Sequence, residues 1–105
     1  MNQAKRKRLA AAGWRTGSTA DFLGLSAVEA LLVEMKLALS QTLKARRRAR
    51  GLTQTQLAKL LKSSQSRVAK MEAGDPTVSA DLLLRSLLAA GARPRQIGRA
   101  IEGAG

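Results

Sequence analysis

The side chains best equipped for chemistry are crowded into one short stretch: Gln54, then Gln65, Ser66, Arg67 and Lys70. None is a strong nucleophile or a proton shuttle. They have hydrogen bonding in common, and two carry positive charge. A Gln side chain presents a donor and an acceptor side by side, matching N7 and N6 of adenine, and an Arg fork matches O6 and N7 of guanine. The chemistry on offer is therefore recognition of base edges. Catalysis has little to draw on, because the chain has no His, Cys or Tyr and its seven Asp and Glu are scattered singly. Nucleophile–base pairs, metal-ligating clusters and phosphate-cradling glycine loops are missing from the sequence. No catalytic residue, metal site or cofactor is expected.

These side chains need two short helices to hold them, and the run from Gly51 to Gly74 supplies both. Gly51 suits the left-handed residue that ends a preceding helix. Thr53 with Gln56 forms a capping box, and Leu52 with Leu57 forms the hydrophobic staple around it. Leu57, Leu60 and Leu61 give this first helix a buried stripe, with Ala58 allowing close approach of a neighbour. A turn at Lys62–Ser63 follows, and Ser64 caps a second helix over Gln65–Ala73. That helix buries Val68 and Met71. Its first turn presents Gln65, Ser66 and Arg67, and its alanines keep the face low enough to enter a groove.

The stretch Leu52 to Gly74 resembles the helix-turn-helix of the Cro/phage-repressor class, also called the XRE family. LTQ-x-x-LA-x-LL, SQS-x-V and E-x-G all stand at that family's spacing, and the likeness runs from about Leu39 to Ile101. It implies an all-α, five-helix Cro/repressor-like domain over residues 37–105, with an N-terminal helical extension over 1–36. It implies that Gln65 pairs with a base while Gln54 braces both a phosphate and Gln65. Ser66, Arg67 and Lys70 join the base-reading face. Thr53, Ser64, Thr77, Ser79 and Arg46 are expected at phosphates, and Arg47 is expected to pair structurally with Glu72. The family usually has Gly where Lys62 stands, so Lys62 is expected at a positive φ, at a cost of roughly 1 kcal/mol or more.

Upstream, Ser26 with Glu29 reads as another capping box, opening a helix from about Ala27 to Arg50. Val28, Leu31, Leu32, Met35, Leu39 and Leu43 form its stripe, and a break near Leu39–Ser40 is compatible with the pattern. Its last turns, KARRRAR, hold five cations, which suit the negative helix end and could equally face phosphates. Before it, Trp14, Phe22, Leu23 and Leu25 make an apolar cluster, Phe22 and Leu23 in a short helix over Ala20–Leu23. The cluster either contacts a partner or folds back on the domain. The basic run Lys5–Arg8 is either a solvated arm or one laid along phosphates. Downstream, Ser79 caps a helix with Val78 and Leu83 as staple. Leu82, Leu83, Leu87 and Leu88 continue the core and Gly91 ends that helix. Pro94 opens the last helix, which carries Ile97 and Ile101 and leaves EGAG as a frayed tail.

Composition agrees with a small helical domain: 105 residues, 45% apolar and 2% aromatic, with few β-branched residues. The net charge of +12 favours a polyanionic partner. No apolar run approaches the roughly 20 residues of a membrane span, no signal peptide is visible, and without cysteine nothing points to an oxidising compartment. The cytoplasm is the expected location. The functional expectation is a transcriptional repressor bound as a homodimer to a palindromic operator in double-stranded DNA. The length and added N-terminal region also resemble HigA-like antitoxins, which repress their own operon and neutralise an RNA-cleaving toxin. A stand-alone regulator and a protein adaptor that binds no DNA are the alternatives, and RNA binding lacks an aromatic platform.

Overall fold

The computed structural model describes residues 19–104, with side chains from Ser26 to Gly103. Among these residues there are five helices and no strand: α1 (Thr19–Ala49), α2 (Gln54–Leu60), α3 (Gln65–Ala73), α4 (Ala80–Ala89) and α5 (Pro94–Ala104). The fold is all-α. Helices α2 and α3 pack on each other, and α1 crosses α3, α4 and α5. At about 46 Å, α1 sets the long dimension of a body measuring 50 × 24 × 16 Å.

Each junction has a local cause. Gly51, at φ 69°, turns the chain out of α1. Thr53 then caps α2: its hydroxyl accepts the Gln56 N–H while the Gln56 side chain accepts the Thr53 N–H. Lys62 makes the turn to α3 at φ 54°, in the left-handed region where an L side chain is strained. Ser64 caps α3 by accepting the Arg67 N–H, Gly74 ends α3 at φ 74°, and Ser79 caps α4 by accepting the Leu82 N–H. Gly74 also allows a close approach, since a Cβ there would stand 2.6 Å from Leu37 Cδ2.

The core is built from Leu39 and Leu43 of α1, Leu57 and Ala58 of α2, Val68 and Met71 of α3, and Leu83 and Leu87 of α4. Val78, Ala90, Ala92 and Ile97 close it, with Leu61, Leu82, Leu84 and Ile101 packed against its margin. Buried Ser86 finds a partner in the Met71 sulfur at 3.3 Å.

Four local expectations are corrected. Helix α1 does not begin at Ser26 but runs unbroken from Thr19, through Ser26 and past Ser40. Gly24, the single weak residue ahead of Ser26, costs a helix only about 1 kcal/mol and does not stop it. Leu60 and Leu88 are exposed rather than buried, because each lies at the edge of a short helix with one face on the core. The stripe on α1 reaches the core only from Leu39 onward, while Val28 and Leu32 stay about half exposed, Leu32 at the edge of a groove it shares with Leu83 of α4. The tail is not frayed from Glu102, since α5 continues to Ala104.

Candidate nucleic-acid interface

A chain of side-chain bonds runs from the interior to the outer face of α3. Arg47, at the end of α1, donates to both carboxylate oxygens of Glu72, at 2.7 and 3.0 Å, and to the Leu52 carbonyl at 2.8 Å. Glu72 lies on the inner side of α3, buried next to Met71. Its Oε1 accepts Gln54 Nε2 at 3.2 Å, and Gln54 Oε1 in turn accepts Gln65 Nε2 at 2.7 Å. Gln54 is the first residue of α2 and Gln65 the first of α3, so the two helix starts are joined through their side chains.

Polarity fixes this chain. An ionised carboxylate only accepts, so Gln54 must turn its NH2 inward and its oxygen outward. Gln65 must then spend one N–H on Gln54, which leaves its other N–H and its Oε1 facing solvent. That remaining pair is the donor–acceptor combination an adenine edge requires. Burial is the largest single influence on Glu72 and opposes its ionisation. Hydrogen bonds from Arg47 and Gln54, with the charges of Arg47 and Lys44, together outweigh burial and hold the carboxyl below the ordinary range. The bond to Glu72 holds the Arg47 guanidinium above its ordinary value.

Ser64, Ser66, Arg67, Lys70 and Thr77 meet around an open cleft of about 320 Å³ floored by Val78 and Leu82. The hydroxyls of Ser64 and Ser66 lie 3.3 Å apart. Thr53 and Ser79 stand outside this cleft, at the starts of α2 and α4. As caps, the hydroxyls of Thr53 and Ser79 use a lone pair and keep the O–H proton for another acceptor. Trp14 lies outside the described residues. Phe22, Leu23 and Leu25 fall on α1, and their side chains also lie outside the description.

Two predicted phosphate donors are engaged within the fold. Thr77 gives both its hydroxyl and its backbone N–H to Asp75 Oδ1, at 2.6 and 2.8 Å. Those two bonds, hydroxyl first, outweigh a small desolvation effect and, with the charges of Lys70 and Lys36, hold the Asp75 carboxyl below its ordinary range. Arg46 donates to the carbonyls of Ala90 and Gly91, at 3.2 and 2.6 Å, and Arg50 adds a bond to Ala90 at 2.9 Å. Two arginines of the basic cluster thus close the C-terminal end of α4, where orphan carbonyls and the negative helix end favour cations. The role of Asp75 was missed in the sequence. Asp-Pro-Thr is an Asx-turn signal, and it was available there.

Among the described residues no group of three or more His, Cys, Asp or Glu could hold a metal, and no helix is long and apolar enough to cross a membrane. No curated protein and no solved structure matches the chain. A family model described as a helix-turn-helix domain matches residues 38–100, well over half the chain. That family is typically non-enzymatic and binds DNA. The match takes in the whole Arg47–Glu72–Gln54–Gln65 chain as well as the cleft, and the protein belongs to the helix-turn-helix domain family.

Proposed function

We propose that the protein is a sequence-specific transcriptional repressor. It reads the major groove of double-stranded DNA as a homodimer on a palindromic operator, in the cytoplasm. The observation that carries this reading is the polarised chain ending at Gln65, which leaves one donor and one acceptor aimed outward from the first turn of α3. Gln65 pairs with adenine, and Ser66, Arg67 and Lys70 face the neighbouring bases. Thr53, Ser64, Ser79 and the second N–H of Gln54 donate to phosphates and set the register. Thr77, with its hydroxyl and backbone N–H both given to Asp75, braces the scaffold, whereas Arg46 uses two of its five N–H donors on Ala90 and Gly91 and keeps the rest for a phosphate.

Fluorescence anisotropy on DNA from upstream of the gene tests this. Gln65→Ala should lose about 1–3 kcal/mol of discrimination at one base pair and leave nonspecific affinity near normal. A variant with undiminished preference at every operator position would defeat the assignment.

A narrower reading is supported by the part of α1 that precedes the family match, residues 19–37. We infer that residues 1–36 form an extension that serves a protein partner. Trp14, Phe22, Leu23 and Leu25 would hold a toxin whose operon the protein represses. Co-expression with the adjacent reading frame tests this antitoxin role. A neighbour that is harmless alone and does not co-purify would leave a stand-alone regulator.

A further inference from the structure

Ahead of its core residues Leu39 and Leu43, helix α1 carries an exposed apolar face. Val28, Leu32, Val33 and Leu37 are 46%, 48%, 56% and 41% exposed. With Glu29 and Lys36 they occupy about half of the helix circumference, at roughly 100° per residue. This face borders a groove of about 290 Å³ between α1 and the Gly74–Pro76 turn. Leu83 of α4 lines the far side of this groove, and the four apolar side chains of α1 still keep 41–56% of their surface exposed.

The face is complementary to itself. In an antiparallel pair with the two-fold axis between Leu32 and Val33, Leu32 opposes the partner's Val33 and Val28 opposes the partner's Leu37. On the same axis Glu29 opposes the partner's Lys36. Apolar positions meet apolar ones, and the two charges meet their opposites twice over, which is what an isologous interface requires. Within one copy Glu29 and Lys36 stand seven residues apart, about 10.5 Å along the helix, beyond ion-pair reach. Lys36 donates to the Pro76 carbonyl at 3.3 Å, and its ammonium keeps two further N–H groups for a partner. A parallel pairing would instead set Glu29 against Glu29.

We propose that the partner on this face is a second copy of the chain, bound by antiparallel pairing of the two α1 helices across residues 28–37. This gives the proposed homodimer a surface and rests on that reading only in that respect. Sedimentation equilibrium on the full chain without DNA tests it, separately from the Gln65→Ala assay. Wild type should be dimeric by about 100 µM. Leu32→Glu should be monomeric with unchanged helical circular dichroism, because each new carboxylate lands on the partner's Val33. Glu29→Lys and Lys36→Glu alone should each weaken the dimer about ten-fold or more, since like charges then meet at both symmetric sites. The double reversal, Glu29→Lys with Lys36→Glu, should return to within a few-fold of wild type. A monomeric wild type overturns the proposal, as does a Leu32→Glu dimer or a double reversal no tighter than the single variants. The last result would mean that the two charges never meet.

Discussion

Arg47→Met isolates the charge that begins the chain leading to Gln65. The variant keeps the volume and the aliphatic stem but loses three hydrogen bonds, two to Glu72 and one to the Leu52 carbonyl. The Glu72 side chain is 2% exposed, so water cannot replace them, and the carboxylate is left with Gln54 alone. Removing one member of a buried pair costs about 3–5 kcal/mol. The remaining Gln54 bond and the nearby Lys44 charge place this case at the low end, about 3 kcal/mol. Against a total stability of roughly 5–15 kcal/mol, urea unfolding should show a much lower midpoint with an unchanged slope. The pH dependence identifies the cause. In the wild type, Glu72 has a folded pKa below its unfolded value, so its contribution is complete above about pH 4.3 and is lost as pH falls through the folded pKa. In the variant, burial acts without the guanidinium to oppose it, so the folded pKa rises. The carboxyl then takes up a proton at higher pH than in the wild type, which relieves the variant as the solution is acidified. The deficit should therefore be large at pH 7 and shrink toward pH 4. Arg47→Met combined with Glu72→Leu should lie within about 1–2 kcal/mol of wild type, since neither partner is then left buried and charged. An equal deficit at both pH values, or a double variant as unstable as Arg47→Met alone, would refute the electrostatic account.

Lys62→Gly should raise stability by up to about 1 kcal/mol in thermal melts. Relief at φ 54° exceeds the added freedom of the unfolded chain, and a fall in melting temperature would show that Lys62 is not strained. Glu72→Gln removes the obligate acceptor while keeping the shape. Binding selectivity at the base proposed for Gln65 should fall several-fold in anisotropy titrations with unchanged nonspecific affinity, and intact selectivity would show that Gln54 is oriented by other means.

Legibility followed distance along the chain. The Thr53–Gln56 box, the Ser64 and Ser79 caps and the turns at Gly51 and Gly74 are all satisfied within a few residues, so their signals are local. The same kind of signal misled at Ser26, where Ser and Glu at capping-box spacing lie inside a helix that had already begun. A capping residue marks where a helix can start, and whether it does depends on the residues before it. The five cations from Lys44 to Arg50 could not be sorted locally at all. Arg46 bonds Gly91 and Arg47 bonds Glu72, 45 and 25 residues away, and the Arg47–Glu72 pair was expected only through the family resemblance. Charge near a helix end looks the same in a sequence whether it faces phosphate or closes a neighbouring helix.

Stability alone does not account for a buried ion pair at this position. A well-packed apolar pair of similar volume often holds a fold equally well, because desolvating two charges offsets most of their attraction. An apolar pair could not tell one end of the Gln54 amide from the other. Gln carries a donor and an acceptor on atoms of nearly the same size, so packing alone leaves two orientations close in energy. The Glu72 carboxylate accepts and never donates, and Arg47 keeps it ionised in a buried place. One fixed charge thereby sets Gln54, Gln54 sets Gln65, and the outward face of α3 shows a single hydrogen-bonding pattern instead of two. On this argument the pair is kept for direction more than for strength.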